Sequence, residues 1–298
     1  MMVERKNSVE IVLFFMEDKN KSVENVLGFF KVVNERVSPA DMLRICCLSI
    51  KKNLPEASIT FLTDVDSTIH QDVENINVGT TDQIRHDFIM YDLMKFRRNY
   101  IKEKVDCGQK TNVIFTDIDI IFNKSVSHVF DGNFDVGLPA TFYDNLTYSQ
   151  RGVPINSLMS IINCGMFFIK SNENSVRFYD EWLATMSDLS VNDALEEYGD
   201  SRPLVKQNFL KWWGEPHSIM VMFGPQLLKK ENEYFSYKDI AVKIFKDSDY
   251  NFAPDMNQVD GKLTIHLSND FLQSKFVLHL RGGRKLFMSQ IASKLNII

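Results

Sequence analysis

Apolar residues along this chain follow two spacings, and the alternation between them predicts the fold. Short apolar runs at Ile11-Val12-Leu13-Phe14-Phe15, Ile59-Thr60-Phe61-Leu62-Thr63 and Val113-Ile114-Phe115 have the length and β-rich make-up of buried strands. Between them, apolar positions recur three and four apart, the period of a helix face. One such face is Val23, Val26, Leu27, Phe30 and Val33, behind a Ser22 cap. A second opens on Ser38-Pro39-Ala40-Asp41: a capping serine, a proline at the first helical position and an acid in the first turn. It runs through Met42, Leu43, Cys46, Leu48 and Ile50 to about residue 53, with Pro55 beyond. A third helix is expected over 81–104. The order β-α-β-α-β predicts an α/β fold with a mostly parallel central sheet flanked by helices.

The second half continues the alternation. Residues 135–139 and 161–169 read as buried strands, the latter interrupted by Asn163-Cys164-Gly165. Ser171 is the expected cap of a helix carrying Val176, Tyr179, Trp182, Leu183 and Met186. A polar segment, 187–202, precedes an expected helix over 203–213. Alternating strands follow at 263–267 and 276–280, then a turn, Arg281-Gly282-Gly283-Arg284-Lys285. A helix with Leu286, Phe287, Ile291 and Leu295 closes the chain.

Composition narrows the class. The 298 residues are 44% hydrophobic and 24% charged, enough for one extended α/β domain or two small ones. A net charge of −5 excludes a wholesale polyanion binder. The dibasic pairs Lys51-Lys52, Arg97-Arg98 and Lys229-Lys230 read first as solvated surface. Cys46, Cys47, Cys107 and Cys164 show no C-x-x-C spacing, which fits a reduced, intracellular protein. Residues 1–10 are polar and 11–16 too short for a signal or membrane span, so a cytoplasmic location is expected. The Asn-, Lys- and Ile-rich composition points to an AT-rich genome, hence a bacterial or virus-infected cell.

The chemistry concentrates in Val113-Ile114-Phe115-Thr116-Asp117-Ile118-Asp119-Ile120-Ile121-Phe122. Two carboxylates inside an apolar run need a partner, because desolvating an unpaired acid is costly. At i and i+2 of a strand they point the same way and converge on one point. A divalent cation carrying phosphate oxygens is the economical occupant; acids capping the next turn are the structural alternative. Open parallel sheets bind ligands at the carboxyl ends of their strands. Phe14, Asp64, Asp117, Asp119, Asn163 and Gly165 would lie on that edge. Arg85, Tyr91, Lys95, Arg97 and Arg98 sit on the preceding helix, where a basic or aromatic group could meet a nucleotide base or phosphate. His279 is followed by Gly282, Gly283, Arg284 and Lys285, glycines permitting close backbone approach and cations neutralising phosphate.

Asp117-Ile118-Asp119 after about a hundred residues of βαβ pattern, then Asn163-Cys164-Gly165, then His279-Leu280-Arg281-Gly282-Gly283-Arg284-Lys285, resembles a GT-A-fold nucleotide-diphospho-sugar glycosyltransferase. The resemblance covers most of the chain and rests on the order of the motifs. It implies a nucleoside-diphosphate sugar donor and a Mn²⁺ or Mg²⁺ ion on Asp117, Asp119 and His279. Gly282 and Lys285 would contact the diphosphate, and Asn163 and Gly165 would line the sugar and acceptor pocket. Residues 1–122 would be the nucleotide-sugar-binding half and 123–298 the acceptor-binding half of one domain. Gln207 matches the family's glutamine near the transferred sugar, but Lys206 stands where an acid is usual. Asp144, beside Tyr143, is the candidate general base, with Asp193 and Glu215 as alternatives.

Two other readings stand beside this one. Asp64-Val65-Asp66-Ser67-Thr68 after a strand fits the nucleophile motif of haloacid-dehalogenase-like, Mg²⁺-dependent phosphatases. A catalytically inactive nucleotide-sugar-binding protein would equally lack the acid at 206. For a transferase, the acceptor would be a bacterial or viral glycan or another hydroxyl compound, with a hydroxylated DNA base as the lesser option.

Overall fold

The computed structural model describes residues 8–16, 38–81, 89–140, 162, 164–188, 214–227, 233–259, 262–265 and 267–298. In chain order the elements begin β1 (Ser8–Phe14), α1 (Pro39–Asn53), β2 (Ser58–Asp64), β3 (Asn77–Thr81), α2 (Ile89–Asp106), β4 (Thr111–Asp117) and β5 (Ile120–Phe122). There follow β6 (Val136–Ala140), β7 (Met166–Lys170), α3 (Glu173–Asp188), α4 (Gly214–Leu227), β8 (Tyr234–Tyr237), β9 (Ile240–Lys246) and α5 (Asp247–Tyr250). The last are β10 (Met256–Val259), β11 (Lys262–Ile265), α6 (Asn269–Ser274), β12 (Val277–His279) and α7 (Met288–Lys294). A large sheet of eight strands runs in the order β3-β2-β1-β4-β7-β6-β9-β8, the α/β architecture expected. Two compact units divide the chain: 8–81, 114–131 and 247–298 form one, and 1–7, 82–113 and 132–246 the other.

In the first unit, β1 pairs in parallel with β2, Ile11 opposite Ile59, and β2 pairs in parallel with β3. Parallel strands buried on both faces are apolar throughout, as Ile11, Val12, Leu13, Phe61 and Leu62 show. Helix α1 starts as its sequence dictates: the Ser38 hydroxyl accepts from the Ala40 N–H at 3.2 Å, with Pro39 at the first position. Its buried face carries Met42, Leu43, Ile45, Cys46, Cys47 and Ile50. The same helix clamps β5. Ser49 Oγ accepts from the Phe122 N–H at 3.0 Å and Asn53 Nδ2 donates to the Phe122 carbonyl at 2.8 Å. On its other edge β5 pairs antiparallel with β12, Leu278 opposite Ile121 and His279 opposite Ile120.

In the second unit, β6 pairs antiparallel with β7 and parallel with β9, which forms a hairpin with β8. Its core is aromatic: Phe167, Phe178, Tyr179, Trp182 and Phe223 are all fully buried. Asp135 organises the start of α3, accepting from Asn172 Nδ2 at 2.8 Å and Asn174 Nδ2 at 3.0 Å.

Several boundaries differ from the sequence expectations. Thr81 ends strand β3, and the long helix is described from Ile89. The cap of α3 is Asn172, whose Oδ1 accepts from the Ser175 N–H at 2.9 Å; Ser171 instead accepts from the Thr111 N–H at 2.8 Å. Within 161–169 the strand begins at Met166, while Ile162 makes a lone antiparallel bridge with Ala140. The glycine-rich turn is a 3₁₀ helix, Gly282–Phe287, which shortens the closing helix to Met288–Lys294. The helices expected near residues 22–33 and over 203–213 lie outside the described residues.

Ser49→Ala should leave the buried Phe122 N–H without its acceptor, at a cost of about 1–3 kcal/mol. Urea unfolding should show a lower midpoint at unchanged slope; an unchanged midpoint would mean the clamp contributes nothing.

Candidate functional site

The site forms in the first unit where β4 gives way to β5. Asp117 is the last residue of β4, and Ile118 turns inward and is buried, leaving Asp119 just before β5. The register of β5 on β12 then sets His279 beside Asp119, and the Leu280 N–H donates to the Asp119 carbonyl at 2.8 Å. His279 Nε2 lies 3.3 Å from Asp119 Oδ1 and 3.8 Å from Asp117 Oδ2. Lys285, from the 3₁₀ helix, places Nζ 3.1 Å from Asp119 Oδ2. One donor atom each from Asp117, Asp119 and His279 lie within 4.8 Å of one another, the spacing of a metal-binding set. Gly282 has φ +64°, a left-handed turn that no β-carbon would clash with but that L side chains rarely adopt.

Electrostatics hold Asp119 charged. Burial alone would raise the Asp119 pKa, but the Lys285 ammonium and His279 outweigh it and hold the carboxyl well below the usual carboxylate range. The Lys285 ammonium is correspondingly raised by the Asp119 charge, against its own desolvation. Beneath the site, the Cys46 thiol is pushed well up by burial, with Cys47, Asp119 and Asp117 adding to it. It is a packed hydrophobe, as the sequence indicates. His279 is itself held from behind. Its Nδ1 lies 2.9 Å from Asn251 Oδ1, and Asn251 Nδ2 donates to Asp247 Oδ1 at 2.7 Å. Asp247 and Asn251 are not legible as site residues in the sequence, because a parallel bridge of Phe252 with Leu278 brings their segment to β12.

The remaining candidates scatter. Phe14 is half-buried at the end of β1. Asp64 is buried at the end of β2, where its Oδ1 accepts from the Asp66 N–H at 3.2 Å; Asp66 is exposed. Among the described residues, the Asp117, Asp119 and His279 set is the one group of three or more such ligands. Tyr91, Lys95 and Gly165 belong to the second unit: the Tyr91 hydroxyl accepts from Ser187 at 3.2 Å, Lys95 is exposed, and Gly165 is buried. Glu215 has a structural partner there. Its carboxylate meets the fully buried Arg97 guanidinium at 3.0 Å, and Arg97 in turn lies 5.1 Å above the Phe167 ring. Arg85, Asp144, Asn163, Asp193 and Gln207 lie outside the described residues.

Two outcomes follow. Glu215→Gln should destabilise the protein, because it removes the carboxylate charge that faces the buried Arg97 guanidinium at 3.0 Å. A thermal melt unchanged from wild type, with turnover lost, would instead make Glu215 a catalytic group. Asp119 has a folded pKa below its unfolded value near 3.9, so its contribution is present above about pH 4 and lost as pH falls. The acid limb of the metal-free stability profile should therefore be shallower in Asp119→Asn than in wild type.

No curated protein sequence matches the chain. Solved structures similar to it include the galactosyltransferase LgtC in complex with donor and acceptor sugar analogues. That match has 14% identity over 96% of this chain and 95% of that one, with a TM-score of 0.48. A glycosyltransferase involved in glycosylation of the major capsid of PBCV-1 matches at 8% identity over 98% of this chain and 100% of that one, TM-score 0.43. The glycosyltransferase GlyE of Streptococcus pneumoniae TIGR4 matches at 10% identity over 81% of this chain and 46% of that one, TM-score 0.40. Among the described residues, no helix is long and apolar enough to cross a membrane. Residues 63–199 match the model of the nucleotide-diphospho-sugar transferase family, a span that takes in Asp64, Asp117, Asp119, Asn163 and Gly165. Over that span, a little under half of the chain, the sequence is similar to nucleotide-diphospho-sugar transferases.

Proposed function

We propose that the chain moves a sugar from a nucleoside-diphosphate sugar to a hydroxyl acceptor, using a divalent cation, Mn²⁺ or Mg²⁺, held by Asp117, Asp119 and His279. The observation that carries this is the convergence of those three donors within 4.8 Å. The donor set fits such an ion: two carboxylate oxygens and one imidazole nitrogen suit Mn²⁺ well and Mg²⁺ acceptably. The fit is sharpened by what faces what. With Nδ1 turned to Asn251, the second ring nitrogen of His279 is aimed at two carboxylates. When bound, the ion supplies Lewis-acid stabilisation for the negative charge of a departing diphosphate.

The chain's own groups do the rest. Lys285 presents a second positive charge, three-quarters shielded from water, where phosphate oxygens would gather. The left-handed turn at Gly282 allows the backbone to come close to an anion. Asp119 and His279 are fixed by buried contacts before any ligand arrives, so little reorganisation is left for the reaction. Phe14 and Asp64, at the ends of neighbouring parallel strands, suit the nucleoside portion of the donor. Asn163 and Gly165 toward the sugar and Gln207 near the transferred sugar are roles taken from the family resemblance, whereas Arg85, Tyr91 and Lys95 toward the nucleotide and Asp144 as base rest on their places in the sequence. The acceptor is read as a glycan or other hydroxyl compound of the cytoplasm of a bacterial or virus-infected cell. No observation supports a nucleic-acid acceptor.

The test is a melting-temperature screen of nucleotide sugars with and without Mn²⁺, on wild type and Asp119→Ala. One nucleoside series at about a hundredfold over its Kd should raise the wild-type transition by roughly 5 °C, only with metal and not in the mutant. No shift with any donor, with phosphoester hydrolysis lost in Asp64→Ala, would replace the transferase reading by the phosphatase one.

A further inference from the structure

We infer that Asp247 and Asn251 are positioning residues that fix which nitrogen of His279 carries the proton, and so keep Nε2 open as a metal ligand. The inference rests on the proposed cation site and concerns its tuning. The protons can be placed from chemistry alone. A carboxylate accepts hydrogen bonds, so the Asn251 group 2.7 Å from Asp247 Oδ1 must be the Nδ2 amide donor. That orients the Asn251 carbonyl oxygen toward His279, 2.9 Å from Nδ1. A carbonyl oxygen only accepts, so Nδ1 carries the hydrogen and donates it. For the neutral ring, Nε2 is then the lone-pair nitrogen, the one that faces Asp117 and Asp119.

The relay is built to hold that assignment. Asp247, Asn251 and His279 are 8%, 0% and 3% exposed, so water has little access to substitute for any member. Its geometry is set by backbone as well as side chains. The Asn251 N–H donates to the Asp247 carbonyl at 3.0 Å, and the His279 N–H to the Phe252 carbonyl at 2.8 Å. Without the relay, the neutral ring could keep its one hydrogen on Nε2, toward Asp119, and leave Nδ1 as the lone-pair nitrogen, turned away from the cation's place. An outer partner that prevents this typically changes metal affinity by 10–100-fold.

Asp247→Asn is the discriminating variant, since it keeps the shape but lets the Asn251 amide turn either way. It should bind Mn²⁺ about tenfold or more weakly in titrations that follow the free-ion electron paramagnetic resonance signal. At saturating Mn²⁺ the nitrogen modulation from His279 should be reduced, while the metal-free melting temperature stays near wild type. The swap that combines Asp247→Asn with Asn251→Asp should restore affinity. A carboxylate at position 251 can only accept from His279, while an amide at position 247 donates to that carboxylate. Wild-type affinity and full nitrogen modulation in Asp247→Asn would overturn the inference. Should that variant not fold, the swap decides alone: weak Mn²⁺ binding by it overturns the inference, and wild-type binding supports it. His279→Ala separates the two levels. If it binds Mn²⁺ as wild type does, or wild type binds none, the cation reading falls and this one with it. If it loses Mn²⁺ while Asp247→Asn does not, only the relay is wrong.

Discussion

The pairing of two three-residue strands, β5 with β12, is the constraint on which the site depends. It sets His279 opposite Ile120, one residue beyond Asp119, although the two side chains come from distant parts of the sequence. A shift of one residue in that register would turn His279 to the other face of the strand. So short a pairing would be weak alone, and it is held from both sides. Ser49 and Asn53 satisfy both backbone groups of Phe122 and Phe252 bridges the outer edge of β12, while Asn123 and Leu280 extend the hydrogen bonding at the two ends. The precision of a buried Asp–His contact is thus supplied by backbone geometry, which side-chain flexibility cannot provide.

Much of this was legible in the chain. The runs at 11–15, 59–63 and 113–115 became buried strands because their apolar content exceeds what one face of a sheet requires. Ser38-Pro39 marked a helix start through a local rule, independent of tertiary context. What escaped had weak or unusual local signals. Strand β3, Asn77-Val78-Gly79-Thr80-Thr81, is a largely exposed edge whose one large apolar side chain is Val78. The β8–β9 hairpin turns on Lys238 and Asp239, both with positive φ, where turn chemistry leads one to look for Asn-Gly.

The candidate site divides along the same line. Asp117 and Asp119 stand out because two acids interrupt an apolar strand, and His279, Gly282 and Lys285 because glycine and cations follow a histidine. Their convergence is a tertiary fact that the order of motifs anticipated through family resemblance. Asn251 and Asp247 carry no such mark. An acid and an amide four apart on one turn are ordinary surface residues until the chain buries them. Glu215 shows the converse: by sequence it is a spare acid, and burial against Arg97 gives it a structural partner.

Charge balance explains why the site is assembled from these groups and no fewer. Asp117 and Asp119 with Lys285 alone leave a net negative cluster, which would repel a diphosphate. A divalent cation on the proposed donors reverses the sign and makes the same cluster attractive to an anion. On the proposed reading Lys285 would have two partners in turn, Asp119 before the donor binds and phosphate after, and its 3₁₀ helix sets it within reach of the acid. For that exchange to favour the donor, the cation must weaken the hold of Asp119 on Lys285 by drawing on the same carboxylate. A histidine ligand suits this arrangement better than a third acid, because it adds a metal contact without adding negative charge.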